Sequence, residues 1–192
     1  MTRRFVAALS ALSLACVAVP AVAQQMDPAV AAAQREQMSH LDWMNGEWVG
    51  TAEIMVGMGQ TRTLRHTERI GPMLGGLIKV IEGHSYEANG DTGFNAFAVV
   101  SWDDEQDRYV MRSYVGGMSG DFPLETTPTG WKWSTPSRGG EVHYETVHDG
   151  DSWTETGDFV APGREPMRVI TLRLHRTADT DWPAAGAVAP GQ

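Results

Sequence analysis

Cysteine, positive charge and long apolar runs are all scarce in this 192-residue chain. The only cysteine is Cys16, and 15 basic residues face 24 acidic ones, for a formal charge of −9. The shortage of positive charge disfavours nucleic acids and anionic membrane surfaces as partners, because both require a cationic footprint. The apolar run at 5–19 is too short for a membrane-spanning helix.

The first residues follow the order of a secretory leader. Arg3 and Arg4 precede the apolar run, and the small residues at 21–23, Ala-Val-Ala, follow it. This order predicts a signal peptide at 1–23, cleavage after Ala23 and export to the periplasm or the extracellular space. Two alternatives remain open, a lipoprotein leader ending at Cys16 and an anchor retained in the membrane.

Cleavage after Ala23 would remove Cys16, Arg3 and Arg4, which lowers the formal charge by two, from −9 to −11. Without a thiol, the mature chain has neither disulfides nor thiolate metal sites, so its stability must come from apolar burial. Its length predicts one domain, and we expect no transmembrane segment in it.

One helix is predicted at 27–44, near the start of the mature chain and within an N-terminal segment at 24–46. Asp27 suits the N-cap and Pro28 the first helical position, while Asn45 and Gly46 supply the stop. From residue 47 the apolar pattern changes to a period of two, which predicts strands. Strands are predicted at 47–56, 61–70, 77–81, 94–102, 108–115, 131–135, 141–147, 152–159 and 167–176.

Short turns rich in Gly, Asn and Asp join these segments, for example at 89–91, 138–140 and 149–151. Tight turns without intervening helices predict an antiparallel meander, and about ten strands favour closure. We therefore expect an all-β, up-and-down, lipocalin-like barrel over 47–177, with a β-sandwich as the alternative. The tail at 178–192 is rich in small residues and proline and is predicted to be disordered.

Candidate binding residues are the tryptophans and the ionisable residues inside the strand pattern. Tryptophans in a small barrel either plug an end or line a ligand cavity. Ionisable groups inside a barrel persist when they are paired or used, but periodicity does not decide which strand face is inside. The predicted ligand-binding residues are Trp48, His66, Glu68, Arg112, Tyr114, Trp133, His143 and Trp153.

Motifs of known chemistry are missing from the sequence. No nucleophile elbow and no phosphate-binding glycine loop is present, and the glycines at 116–120 are read as a turn. Potential metal ligands lack a recognised spacing, so no metal site is predicted. These are His84, His143, Glu145, His148 and Asp151.

Several short motifs, in order, resemble the DUF1579 family over about residues 41–177. They are LDWMNGEWVG at 41–50, GPMLGG at 71–76, WDD at 102–104 with DRYV at 107–110, and REPMRV at 164–169 followed by LHR at 174–176. The resemblance implies a calycin-like, lipocalin-type barrel of unassigned biochemistry.

The Gly-x-Trp-x-Gly opening also resembles the nitrobindin-like haem barrels, in which a histidine near the start of the closing strand holds the iron. Residues 164–170 contain no histidine here, and His175 lies near the strand's end. No cofactor is therefore predicted, and haem stays open as an alternative whose expected histidine ligand is not matched.

Three hypotheses for the function are compatible with the sequence. The first is an exported lipocalin-like protein that binds a small apolar or amphipathic molecule in the barrel lumen, and the sequence favours it over an enzyme. The second is a small barrel enzyme that uses His66, Glu68, Arg112 and His143 as a convergent set. The third is a structural or oligomeric protein with a packed barrel, which predicts a large exposed apolar patch.

Overall fold

The structure is a computed structural model that describes residues 27–57, 59–180 and 182. The predicted signal peptide at 1–23 lies outside these residues, as does most of the predicted tail at 178–192. Trp182 of the tail is described, and its ring packs edge-on against Phe97 on the outside of the barrel, with centroids 6.1 Å apart.

A single α-helix, α1 (Pro28–Ser39), precedes the strands. Asp27 caps it by accepting a hydrogen bond from the Ala29 backbone N–H at 2.9 Å, and Pro28 occupies its first turn, as predicted. The helix ends at Ser39, whereas the sequence pattern predicts an end at residue 44. A short 3₁₀ turn, Asp42–Met44, then leads into the first strand.

Ten strands follow, joined by short connections. They are β1 (Gly46–Gly57), β2 (Gln60–Met73), β3 (Ile78–Tyr86), β4 (Thr92–Asp103), β5 (Arg108–Val115), β6 (Met118–Thr127), β7 (Gly130–Ser137), β8 (Gly140–Asp149), β9 (Ser152–Val160) and β10 (Met167–Ala178). β6 is missing from the predicted strands, because the turn expected at 116–120 contains only two turn residues before Met118 begins the strand.

The strands form a closed antiparallel barrel in chain order. Each strand pairs with its neighbours in sequence, and β1 closes the barrel against β10, with Gly50 opposite Leu174 and Ile54 opposite Ile170. The predicted lipocalin-like topology is confirmed, and the alternative β-sandwich does not apply. Closure leaves neither end strand with a free edge.

Tryptophans and the N-terminal helix fill one end of the barrel. Trp153 contacts Trp43, Trp48 and Trp131, with ring centroids 5.5, 5.6 and 6.3 Å apart in edge-to-face geometry. Each such pair contributes about 0.5–1.5 kcal/mol beyond its buried area. Trp48 Nε1 also donates to the Met44 carbonyl at 2.8 Å, which fixes the 3₁₀ turn over the barrel.

A buried lysine donates hydrogen bonds to residues at the same 3₁₀ turn. Lys79 of β3 has a side chain only 2% exposed, and its Nζ donates to Asp42 Oδ1 at 3.0 Å and Asn45 Oδ1 at 2.6 Å. Burial lowers the pKa of Lys79, while the hydrogen bond and charge of Asp42 oppose this change. The closed end is therefore fastened by one ion pair as well as by aromatic packing.

Candidate functional site

A histidine, a serine and a glutamate form a hydrogen-bonded row inside the barrel on β2 and β3. His66 Nδ1 lies 2.7 Å from Ser85 Oγ, and His66 Nε2 lies 2.9 Å from Glu68 Oε1. Register places Gly83 directly opposite Glu68. A Cβ at Gly83 would lie 2.7 Å from Glu68 Oε1, so glycine at this position leaves room for the carboxylate where it now lies. The second oxygen, Glu68 Oε2, is buried without a partner.

A second carboxylate, Glu155 on β9, faces the same interior and is 8% exposed. Thr146 donates to Glu155 Oε2 at 2.6 Å and accepts from Trp131 Nε1 at 2.7 Å. Burial raises the pKa of Glu155, and the charge of Glu68 adds to this rise. The Thr146 hydroxyl opposes it, as do the indoles of Trp133 and Trp131. The interior thus holds two acids in different environments.

Stacked aromatic rings form the wall beside Glu155. Trp133 of β7 and Tyr144 of β8 stack with centroids 4.2 Å apart and planes at 14°, and Phe122 of β6 lies 5.7 Å from Trp133. Trp133 Nε1 points towards Glu155 closely enough to favour its charged form. It makes no hydrogen bond of acceptable geometry, however, and is buried without a partner.

The barrel wall opens beside this stack, between β6 and β7. The two strands pair only where Glu125–Thr127 faces Gly130–Lys132, whereas β5 and β6 pair over seven positions. A cleft of about 860 Å³ lies at this place. Pro123 and Pro136 occur on the separated parts of β6 and β7. Proline has no backbone N–H to donate, so it suits a strand with a free edge.

The cleft has an apolar inner wall and a charged rim. Inward-facing side chains, among them Tyr109, Leu124, Trp133 and Tyr144, form the wall. The rim contains two ion pairs, Lys132 with Glu145 at 3.3 Å and Asp158 with Arg168 at 2.6 Å, and a hydrogen bond between His143 and Glu141 at 3.0 Å. A concave aromatic wall with polar groups around it is the usual form of a small-molecule site.

Five of the eight predicted binding residues lie inside the barrel, namely Trp48, His66, Glu68, Trp133 and Trp153. The structure brings His66 and Glu68 together, and Trp48 and Trp153 pack in the closed end. Of these five, only Trp133 lines the cleft.

The other three predicted residues lie on the outer face. Arg112 pairs with Asp121 at 2.8 Å and donates to the Tyr114 hydroxyl at 2.9 Å, both in solvent. His143 is also exposed, although it lines the cleft rim. The inward positions of β5 are occupied instead by Tyr109 and Met111, and those of β8 by Tyr144 and Thr146. The four-residue set of the enzyme hypothesis is therefore not assembled in one place.

Sequence reasoning missed Arg108, Tyr144, Thr146 and Glu155. Glu155 and Tyr144 could have been found by parity, since Glu155 shares the strand face of Trp153 and Tyr144 lies directly opposite Trp133. The closure of β6 against β7 over only three pairs has no comparable local signal.

The positions of the histidines and acidic residues bear on metal and haem binding. Within the described residues, no group of three or more His, Cys, Asp or Glu side chains is placed to hold a metal ion. His175 is exposed on the outside of β10, opposite Val49 of β1. His66, inside the barrel, has both ring nitrogens engaged by Ser85 and Glu68. These residues do not fit a haem held by a histidine of the closing strand.

Comparison with known proteins supports the fold alone. No family model and no curated protein matches the chain. Among solved structures, the chain is similar to Rv2717c from M. tuberculosis, with a TM-score of 0.55 and 11% sequence identity. The match covers 73% of this chain and 96% of that one. In the described part of the chain, no helix is long and apolar enough to cross a membrane.

Proposed function

We propose that this chain is an exported, lipocalin-like protein that binds a small amphipathic molecule in the cleft between β6 and β7. The observation that carries the proposal is the cleft itself, which exposes the inward-facing stack of Trp133 and Tyr144 through a gap in an otherwise paired wall. A side opening in a barrel provides access to the interior while the tryptophan-filled end stays closed.

The chemistry of the site supports an amphipathic ligand. An apolar or aromatic body would lie on the Trp133 and Tyr144 rings, where burial contributes about 25 cal/mol per Å². Trp133 Nε1, in the lining of the cleft, is buried without a hydrogen-bond partner. Buried polar atoms of this kind are normally satisfied by water or by a bound molecule.

Export and family membership belong to the same proposal. Export rests on the order of charged, apolar and small residues in the first 23 positions. Membership of DUF1579 rests on the ordered motifs between 41 and 177, and the barrel fold is consistent with it.

A fluorescence titration with 8-anilinonaphthalene-1-sulfonate tests the proposed site. Thr126→Trp adds bulk at an exposed position that lines the cleft, so dye binding should fall at least about tenfold, which is 1.4 kcal/mol. Thr154→Trp adds the same bulk at an exposed position of β9 away from the cleft and is the matched control. Equal dye binding by both variants, or no binding by the parent protein, would overturn the proposal.

A further inference from the structure

We propose that the molecule held in the cleft carries a carboxylate and that this carboxylate pairs with Arg108. The inference rests on the proposed function, because Arg108 lines the same cleft as Trp133 and Tyr144. It names the chemical class of the ligand, an aromatic or apolar carboxylic acid.

Arg108 differs from the other cations of the chain. Among the arginines and lysines that the structure describes, it is the only partly buried one with neither an ion pair nor a hydrogen bond. Its Nε atom is fully hidden from solvent and has no partner. A guanidinium in that position has lost part of its hydration without a compensating contact, which is unfavourable unless a ligand supplies one.

The unsatisfied atoms in the cleft all require the same kind of partner. Two buried polar atoms of its lining lack hydrogen bonds, Arg108 Nε and Trp133 Nε1, and both are donors. No acceptor of the lining is buried without a partner. Trp133 Nε1 points towards Glu155, so Arg108 Nε is the donor of the lining that an acceptor oxygen of a ligand would complete.

The charges around Arg108 leave it available. Two rim acids, Glu145 and Asp158, pair with Lys132 and Arg168, and Glu141 is hydrogen-bonded to the imidazole of His143. Asp103, directly opposite Arg108 on β4, accepts hydrogen bonds from the Glu105 and Gln106 backbone N–H groups. Asp107 and Glu125 are exposed, and none of these three acids lies within ion-pair distance of Arg108. Their repulsion of an anion is weakened by salt, since the Debye length is about 8 Å at physiological ionic strength.

Arginine and an aromatic wall together favour a carboxylate. The planar guanidinium matches a carboxylate in two-point geometry, and charge-assisted hydrogen bonds are about twice as strong as neutral ones. The body of the same molecule lies on Trp133 and Tyr144, whose rings are already stacked at 4.2 Å. Hydrogen bonding and apolar burial thus act on two ends of one ligand.

Isothermal titration of the mature chain with three compounds of one shape tests the inference. Indole-3-acetate, indole-3-ethanol and tryptamine share a ring system and differ in an anionic, neutral or cationic end. We expect indole-3-acetate to bind at least about tenfold more tightly than the alcohol, the size of a charge-assisted contact. Arg108→Met should abolish this preference for indole-3-acetate over the alcohol, and Arg108→Lys should retain part of it. Arg138→Met, which removes an exposed arginine outside the cleft, should change nothing.

Each other outcome overturns a different statement. If the alcohol or tryptamine binds the parent protein as tightly as indole-3-acetate, the carboxylate inference is wrong while the cleft remains a binding site. The same holds if Arg108→Met keeps the preference. If none of the three compounds binds but the naphthalene dye does and Thr126→Trp blocks it, the ligand class is wrong and the proposed function stands. If neither set binds, both statements fail.

Discussion

Replacing Asp42 by alanine should destabilise the protein far more than replacing Lys79 by methionine, although each change removes the same ion pair. Asp42 has a side chain that is 60% exposed, so water solvates it when Lys79 is absent. Lys79 has a side chain that is only 2% exposed, and without Asp42 it keeps a single oxygen partner, Asn45. The loss of stability therefore depends on which of the two charged groups remains without its partner.

The magnitudes follow from this asymmetry. Leaving a buried charge without its partner costs about 3–5 kcal/mol, whereas an apolar replacement of similar volume is often neutral or stabilising. In a chain of this length 1 kcal/mol shifts Tm by about 2–4 °C, so Asp42→Ala should lower Tm by roughly 6–20 °C. Lys79→Met should stay within about 1.5 kcal/mol of the parent protein.

The pH dependence supplies a second readout. Burial lowers the pKa of Lys79 from 10.5, and loss of Asp42 removes the interactions that oppose this. A lysine whose pKa is lower in the folded than in the unfolded chain destabilises the fold at low pH, and the stability returns as the pH rises towards 10.5.

Thermal unfolding followed by tryptophan circular dichroism, at neutral pH and at higher pH, measures both effects. The difference in Tm between Asp42→Ala and the parent protein should be smaller at the higher pH. The reasoning is refuted if Asp42→Ala and Lys79→Met lower Tm equally, or if the deficit of Asp42→Ala does not change with pH.

Two further predictions concern the interior. Burial raises the pKa of Glu155 above 4.5, so its stabilising contribution is complete below that pH and is lost as the pH rises through the folded pKa. Glu155→Gln should therefore gain stability relative to the parent protein as the pH rises from 4.5, and urea unfolding with a pH-independent difference would contradict this. Gly157→Ala would place a Cβ 2.5 Å from Ile170 and 2.9 Å from the Tyr144 ring. It should cost about 1–3 kcal/mol and weaken dye binding, while Gly57→Ala, which meets only Gln60 at 3.9 Å, should do neither.

Much of the barrel could be predicted because the strands alternate and the turns carry Gly, Asn and Asp. β6 was missed because its start, after Gly116 and Gly117, contains another glycine, and because Pro123 interrupts its pattern. Both features weaken a strand signal taken alone. In the barrel, β6 is specified by its pairing with β5, which is a long-range contact.

The inward face was predictable where one face is distinctly apolar. His66 and Glu68 share the face of Leu64 and Ile70, and the structure places all four inside. In β8, His143 shares its face with Val147, which is apolar but 44% exposed, so this face lies outside. Where both faces carry apolar residues, tertiary packing and not the period decides the orientation.

The cleft could not be predicted from local pattern, because it arises where two strands stop pairing. Pro123 and Pro136 mark the separated edges, yet a proline in a strand indicates only a missing donor. Arg108 carries no local signal either, since it directly follows a turn that is rich in charge. Its unpartnered state becomes visible only when the rim residues are in place.

The most direct test of ligand binding in the cleft is an NMR titration of the seven tryptophan indole N–H signals with 8-anilinonaphthalene-1-sulfonate. Trp133→Phe assigns the signal of Trp133, which lines the cleft. That signal should move most on binding, because Trp133 Nε1 is unpartnered beside the cleft, whereas Trp182, on the outer face, should not move. A shift confined to Trp182, or no shift of any indole at saturating dye, would contradict the account.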